Sequence, residues 1–312
     1  MTQKKFIFSL SVICFLLLFI YIFPFGDSKK EISLSTALLN PQQVKNIQEI
    51  EVFSEGNSLS IKKSDSCWIG TDGNVVFPIE SENIDLLLSS ASKIRSMNLI
   101  SKDTSKHTLS DFGLDEQNYS RLVFKSNDNK IVSDLFFGKS NYSGLNIYIK
   151  TDKSPVYEIE NDLYSWLQIS IRQWADMKII PLSILGKIKS NDVQSIKLFL
   201  QNQSNTLTTL SSDFYTKVDK ILSLRGSKIL PVYDIDESNF TGHIQIEIGN
   251  GSGVVLKIFS SGNDSSEYDS FYIIPDIKTG TGFGDINASK QCVYALEISN
   301  WTYENIIYNL AH

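Results

Sequence analysis

Between Phe6 and Phe23 the chain carries no charged side chain: FIFSLSVICFLLLFIYIF. As a helix this run spans about 27 Å at 1.5 Å per residue. That is close to the ~30 Å hydrocarbon core of a bilayer. Pro24 and Gly26 then stop the helix. No A-x-A cleavage pattern follows, and the Ser11–Cys14 stretch lacks the residues of a lipidation site. Residues 1–26 therefore read as an uncleaved N-terminal membrane anchor. Lys4 and Lys5 flank the run on one side and Lys29 and Lys30 on the other, and a short tail ahead of a first apolar helix usually stays inside. The rest of the chain is then expected outside the cytoplasm, as a single-pass membrane protein.

Charge narrows what that body binds. The formal net charge of the 312 residues is −6. Setting aside Lys4 and Lys5 leaves 27 basic against 35 acidic residues, or −8. An acidic body disfavours nucleic acid and anionic lipid headgroups as ligands. Of three cysteines, Cys14 lies in the apolar run, and Cys67 and Cys292 lie far apart in the body. A Cys67–Cys292 disulfide is open outside the cytoplasm, while buried free thiols are the simpler reading.

After a polar linker at 27–43, the hydrophobic pattern runs twice through one order of elements. In residues 44–180, Ile47, Ile50 and Val52 open a strand, followed by Leu59 and Ile61 and then Trp68 and Ile69. Ile84, Leu87, Leu88, Ala91 and Ile94 fall on one helical face, with Ser81 as the expected N-cap. A hairpin at 121–138 and strands near 147–149 and 156–159 follow. A closing helix is expected at 163–174, with Asp162 as its cap. In residues 193–312, Ile196, Leu198 and Leu200 alternate as a strand, and Phe214, Val218, Ile221 and Leu222 share a helical face that Gly226 should end. A hairpin at 243–260 turns at Asn250-Gly251. Tyr303, Ile306, Ile307 and Leu310 make the last helix. Val156–Glu160 matches Val293–Glu297, and Asn118-Tyr119-Ser120 matches Asn239-Phe240-Thr241. The expectation is an α+β protein: an N-terminal transmembrane helix, then two tandem related units of antiparallel sheet with packed helices, joined near Pro181–Ser190.

Several of these pieces resemble the DUF4340 family. They are Trp68, the helical stretch 84–97, Leu109-Ser110-Asp111-Phe112-Gly113-Leu114, Phe136-Phe137-Gly138, Val156-Tyr157-Glu158-Ile159, and Gln173-Trp174-Ala175-Asp176, which has Ala where Arg is common. The resemblance covers 44–180 well and 193–312 weakly. It implies a bacterial envelope protein with one N-terminal transmembrane helix, an accessory of ABC-type or gliding-associated export systems. It implies no active site and supplies no functional residues.

The residues themselves offer little chemistry. Asp111-Phe112-Gly113 spells a kinase magnesium motif without the glycine-rich loop or catalytic loop that must accompany it; Gly113 reads as a turn residue. Gly280, Gly282 and Gly284 lack the Lys and Ser/Thr of a phosphate loop. His107, His243 and His312 have no ligand partners at metal spacing. Trp166, Trp174 and Trp301 lie on apolar helical faces and read as core. No catalytic, cofactor-binding or metal residue is expected. The leading function is a non-enzymatic accessory component of an ABC-type or gliding-like envelope transport system, docking to a membrane or envelope protein and not to nucleic acid. The glycine-bearing loop 275–291 is a candidate contact. The alternative is an envelope enzyme or ligand-binding module acting on a cell-surface polymer or small molecule.

Overall fold

The computed structural model describes residues 38–94, 97–152, 154–186, 188–200, 203–262, 270–280 and 284–311. The expected anchor at 6–23 lies outside these residues. Among the described residues no helix is long and apolar enough to cross a membrane.

The body is mixed α+β, with two antiparallel sheets. The first contains β1 Ile47–Ser54, β2 Asn57–Ser64, β3 Cys67–Asp72, β4 Val75–Ile79, β5 Asn98–Ser101, β6 Ser120–Ser126, β7 Ile131–Ser140, β8 Asn146–Lys150 and β9 Val156–Glu160. Its order is β4-β3-β2-β1-β6-β7-β8-β9-β5. Helices α1 Pro41–Val44, α2 Ser81–Lys93, α3 Lys106–Asp111 and α4 Ile171–Trp174, with a 3-10 helix Asn161–Leu167, accompany it. After α5 Leu182–Leu185 comes the second sheet: β10 Val193–Leu200, β11 Gln203–Thr208, β12 Lys228–Leu230, β13 Phe240–Ile248, β14 Gly253–Ser260, β15 Ser270–Lys278 and β16 Ala295–Ser299. Its order is β11-β10-β13-β14-β15-β16-β12. Helices α6 Phe214–Ser223, α7 Ile286–Gln291 and α8 Asn300–Ala311 complete the chain.

Without β3 and β4, the first sheet runs β2-β1-β6-β7-β8-β9-β5, the order of the second. The register agrees too. Ile50 faces Ile61 and Phe124, and Ile196 faces Leu207 and Ile246. Each residue of β1 and β2 thus has its counterpart 146 positions on. Both central pairs slip at one place, between Ile47 and Glu49 and between Val193 and Ser195.

Alternation explains the layers. Ile50, Val52, Leu122, Phe124, Leu135 and Phe137 point to one face, where Ile84, Leu87 and Ala91 of α2 cover them. In the second sheet Ile196, Leu198, Ile244, Ile246 and Leu256 meet Phe214, Val218 and Ile221 of α6 and Ile306 and Leu310 of α8. The opposite faces carry ion pairs and half-buried aromatics. Pro78 is tolerated because β4 is an edge strand, where no ladder N–H is required of it.

Several local expectations are corrected. Residues 163–174 are not one helix. The 3-10 turn ends at Leu167, Gln168 is extended, and α4 starts at Ile171. Across the break Gln173 Nε2 donates to the Ser165 carbonyl at 2.6 Å. Glu160 precedes that turn where Asp162 was expected as the cap. Ser81 is the first residue of α2, and Glu80 holds the cap position, fixed there by its N–H to the Trp174 carbonyl. Helix α6 ends at Ser223, not Gly226. The Gly226 N–H donates to the Met177 carbonyl, and a Cβ there would press on Glu297 O at 3.0 Å, so this glycine permits close approach. The 243–260 hairpin turns through Gly249–Gly251 as a 3-10 turn, with Gly251 at φ 77°. Leu39, expected in the linker, is 1% exposed in the first core.

The matched segments also need realignment. Ile159 faces Ile147 and Ile298 faces Phe271, so Val156 corresponds to Ala295, two residues beyond Val293. A shift of two preserves the in-out alternation, which is why the pattern alone did not expose it. Ser120 corresponds to Gly242, because β13 has an irregularity between Phe240 and Gly242.

The two units share a seam. Val293 N–H bonds the Val76 carbonyl, Gly226 N–H bonds the Met177 carbonyl, and Ile179 N–H bonds the Leu224 carbonyl. Ile229, Tyr294 and Leu296 from the second unit lie in the core of the first. The stretch 275–291, expected to be a free loop, is the end of β15 followed by α7. Asp285 caps α7 by accepting from Ala288 N at 2.8 Å and reaches back to the β2–β3 turn, accepting from Ser66 N at 3.0 Å and Ser64 Oγ at 3.1 Å. Asp285 is thus occupied within its own chain.

Candidate functional site

The ends of β1, β6 and β7, the turn after α3 and the stretch from Tyr164 to Ser170 enclose an open cleft of about 800 Å3. That is within the usual range of ligand pockets, roughly 300–1,000 Å3. Its walls are mostly uncharged and polar: Ser54, Asn57, Ser110, Asn118, Ser120, Ser140, Tyr164, Gln168 and Ser170. Glu55 and Lys139 are the charged lining residues, one of each sign. Leu167 and Ile169 supply a small apolar strip.

Backbone geometry fixes this floor. Lys139 N–H donates to the Phe112 carbonyl at 3.0 Å, tying the end of β7 to the turn after α3. Gly113 has φ 67°, in the left-handed region, and a Cβ there would sit 3.0 Å from Lys139 N. Gly138 lies against the Phe112 carbonyl so closely that a Cβ has no room. Phe112 in turn meets Tyr148 in a tilted ring contact, centroids 4.7 Å apart. The two glycine motifs read in the sequence thus meet at one point, and both glycines line the cleft. Ser54 and Ser120 share a hydrogen bond at 2.9 Å on the facing wall. The Asn118 amide donates to both Asp115 oxygens at 2.8 and 2.9 Å. That contact holds the Asp115 carboxyl below its ordinary value.

The other sequence candidates scatter. Asp111 ends α3 and is exposed, apart from any second carboxylate of a site. His107 is exposed on α3, His243 stacks on Phe199 at 4.6 Å, and His312 lies outside the described residues. Of the glycines at 280–284, Gly284 packs on the Ile184 carbonyl and residues 281–283 lie outside the described residues. No group of three or more metal-ligating side chains occurs among the described residues. Trp174 is core and Trp166 half-buried, but Trp301 is 70% exposed, against the expectation. Its neighbour Asn300 opens α8, which places Trp301 on the outer side of the first turn.

Cys67 and Cys292 are both free and flank one small cluster with Ile69, Ile184 and Ala288. Burial pushes the Cys67 thiol up to about 12, with the Asp285 carboxylate adding to the shift. Burial raises Cys292 further. Neither thiol is primed as a nucleophile.

The polar cleft residues escaped the sequence reading because they come from five separate segments with no spacing rule. Only the glycine motifs pointed at the place.

The profile of a domain of unknown function, DUF4340, matches residues 70–220. The matched span runs from β3 to α6, across the seam. An uncharacterized protein of Treponema pallidum (strain Nichols) is 24% identical over 161 residues, 49% of this chain and 50% of that protein. The chain spans about half the length of this curated relative. No solved structure matches it. Over residues 70–220, and in the motifs that meet at the cleft, the chain is similar to the DUF4340 family.

Proposed function

We propose that this is a membrane-anchored, extracytoplasmic binding protein and not an enzyme: an accessory component of an ABC-type or gliding-like transport system in a bacterial envelope. The apolar run at 6–23 would hold it to the inner membrane and concentrate the body near membrane partners. The observation that carries the reading is the seam. Backbone bonds at Val76, Met177 and Leu224, a shared core and the Asp285 knot make two units one body. Such a body suits holding a partner in fixed geometry. The shared strand order and register further support an origin of the units by tandem duplication.

Crosslinking in the native membrane, followed by mass spectrometry, tests the partner. Recovery with a permease or a second envelope subunit is expected. Recovery alone, or only with itself, would end the accessory reading. A C-terminal reporter that is active in the cytoplasm would end the proposed orientation.

The cleft favours a second reading, a ligand-binding module for a cell-surface polymer or small molecule. Its volume and convergent polar groups carry that reading.

A further inference from the structure

We infer that the cleft between β1, β6, β7 and the Tyr164–Ser170 stretch binds a neutral, hydroxyl-rich ligand, an oligosaccharide segment. The inference rests on the second reading above and names its ligand class.

Charge excludes the common alternatives. A phosphate or carboxylate ligand calls for clustered cations, typically arginine in bidentate geometry. Lys139 is the cleft's cation and Glu55 offsets it. A lipid or drug-like apolar ligand calls for an apolar wall. Here hydroxyls and amides dominate the lining. Serine, asparagine and glutamine each both donate and accept, as sugar hydroxyls do. Tyr164, 45% exposed at the mouth, offers an aromatic face to the C–H side of a sugar ring and a hydroxyl to its rim.

The fold does not demand this polarity. Ser54 and Ser120 correspond by register to Leu200 and Gly242 in the second unit. Those two positions therefore carry no hydroxyl in the second unit. The polar wall is a property of the first unit, set where its backbone is most tightly fixed by Gly113 and Gly138. A fixed floor spares a ligand part of the ordering entropy.

The test uses the full chain in a detergent without a sugar headgroup, titrated calorimetrically with three probe classes. These are neutral trisaccharides (maltotriose, cellotriose and N,N′,N″-triacetylchitotriose), the anionic trigalacturonic acid, and a short-chain fatty alcohol. At least one neutral trisaccharide is expected to bind. Tyr164→Ala should weaken it at least about ten-fold and Gln168→Ala about three-fold or more, while Trp301→Ala on α8 leaves it unchanged. Both cleft residues are exposed, so circular dichroism should be identical for all variants. Binding of the anionic or apolar probe alone would overturn the inference and leave the ligand-binding reading standing. Neutral binding indifferent to the cleft variants would also overturn it. No binding of any probe would remove both.

Discussion

Lys125 and Glu247 occupy the same register position in their two sheets, and each holds an ion pair with the charges exchanged. Lys125 Nζ lies 2.6 Å from Glu51, and Glu247 lies 2.7 Å from Lys197 Nζ. Glu51 and Lys197 are themselves counterparts. Further along the same strand pairs, the Arg121 guanidinium lies over Phe53 at 5.6 Å, and His243 stacks on Phe199 at the equivalent place. What the two faces keep is a cross-strand charge pair beside a phenyl ring covered by a flat nitrogen-bearing side chain, with the sign of the charge pair free to differ. A cross-strand pair of this kind is worth about 0.2–1 kcal/mol. Lys197→Glu should destabilise by about 1 kcal/mol, since it puts like charges together. The double reversal Lys197→Glu with Glu247→Lys should recover most of that loss. Urea unfolding of the four proteins in the cycle measures the coupling. Coupling below about 0.2 kcal/mol would make the pair incidental.

How far the sequence revealed all this depends on the kind of signal. The strands were legible where Ile50, Val52, Ile196 and Leu198 alternate, because one face is buried and the other wet. The helices at 81–93 and 300–311 were legible from their apolar stripe. The extra hairpin partner β4 was missed, because Val75–Ile79 contains a proline and nearly every residue in it is buried. The seam was missed for another reason. Asp285 and Asp176 look like solvated loop residues until the chain is folded, and their partners lie far off in sequence or in the main chain. The cleft follows the same logic: Ser54, Ser120 and Gln168 have no shared pattern.

Asp285 ties stability to acid. Burial alone would raise its pKa, but the N–H groups of Ala288 and Ser66 and the Ser64 hydroxyl outweigh that and hold it below the ordinary 3.8. A carboxylate depressed on folding contributes its full stabilisation above its unfolded pKa and loses it as pH falls through and below that value. Asp285→Asn should therefore be less stable at pH 7 by about 1–3 kcal/mol, since a carboxylate acceptor is lost from buried donors. The difference should shrink as pH drops from about 5 toward 2. Equal differences at pH 7 and pH 3 would show that the charge is not what matters. Glu247, also depressed, first by its Lys197 bond, titrates in the same direction but is more exposed and contributes less.

The two body thiols should resist alkylation in the folded chain. With Cys67 at about 12 and Cys292 raised further by burial, almost no thiolate exists at pH 8. Iodoacetamide at that pH should label neither until urea unfolds the protein, when both should react together. Fast labelling of Cys292 in the native protein would mean that α7 opens away from the β2–β3 turn.

The units should unfold as one. Trp174, Ile229, Tyr294 and Leu296 sit in a single core although they come from both sides of the seam. Separating the units would expose apolar side chains worth about 1.5–3 kcal/mol each. It would also break the backbone bonds at Val76, Met177 and Leu224. Thermal unfolding of the full chain should show one transition, with tryptophan fluorescence and far-ultraviolet circular dichroism coinciding. Trp174→Ala should lower it for both units at once, by about 3–5 kcal/mol. Tyr294→Phe gives the opposite control. Its hydroxyl is buried, and it makes no hydrogen bond among the described residues. Removing an unpaired buried hydroxyl relieves a desolvation penalty. The variant should be as stable as the parent or more so, by up to about 1 kcal/mol. Two resolved transitions in the parent would instead mean that the seam is a weak contact between independent domains, and the rigid-body basis of the binding role would fall with it.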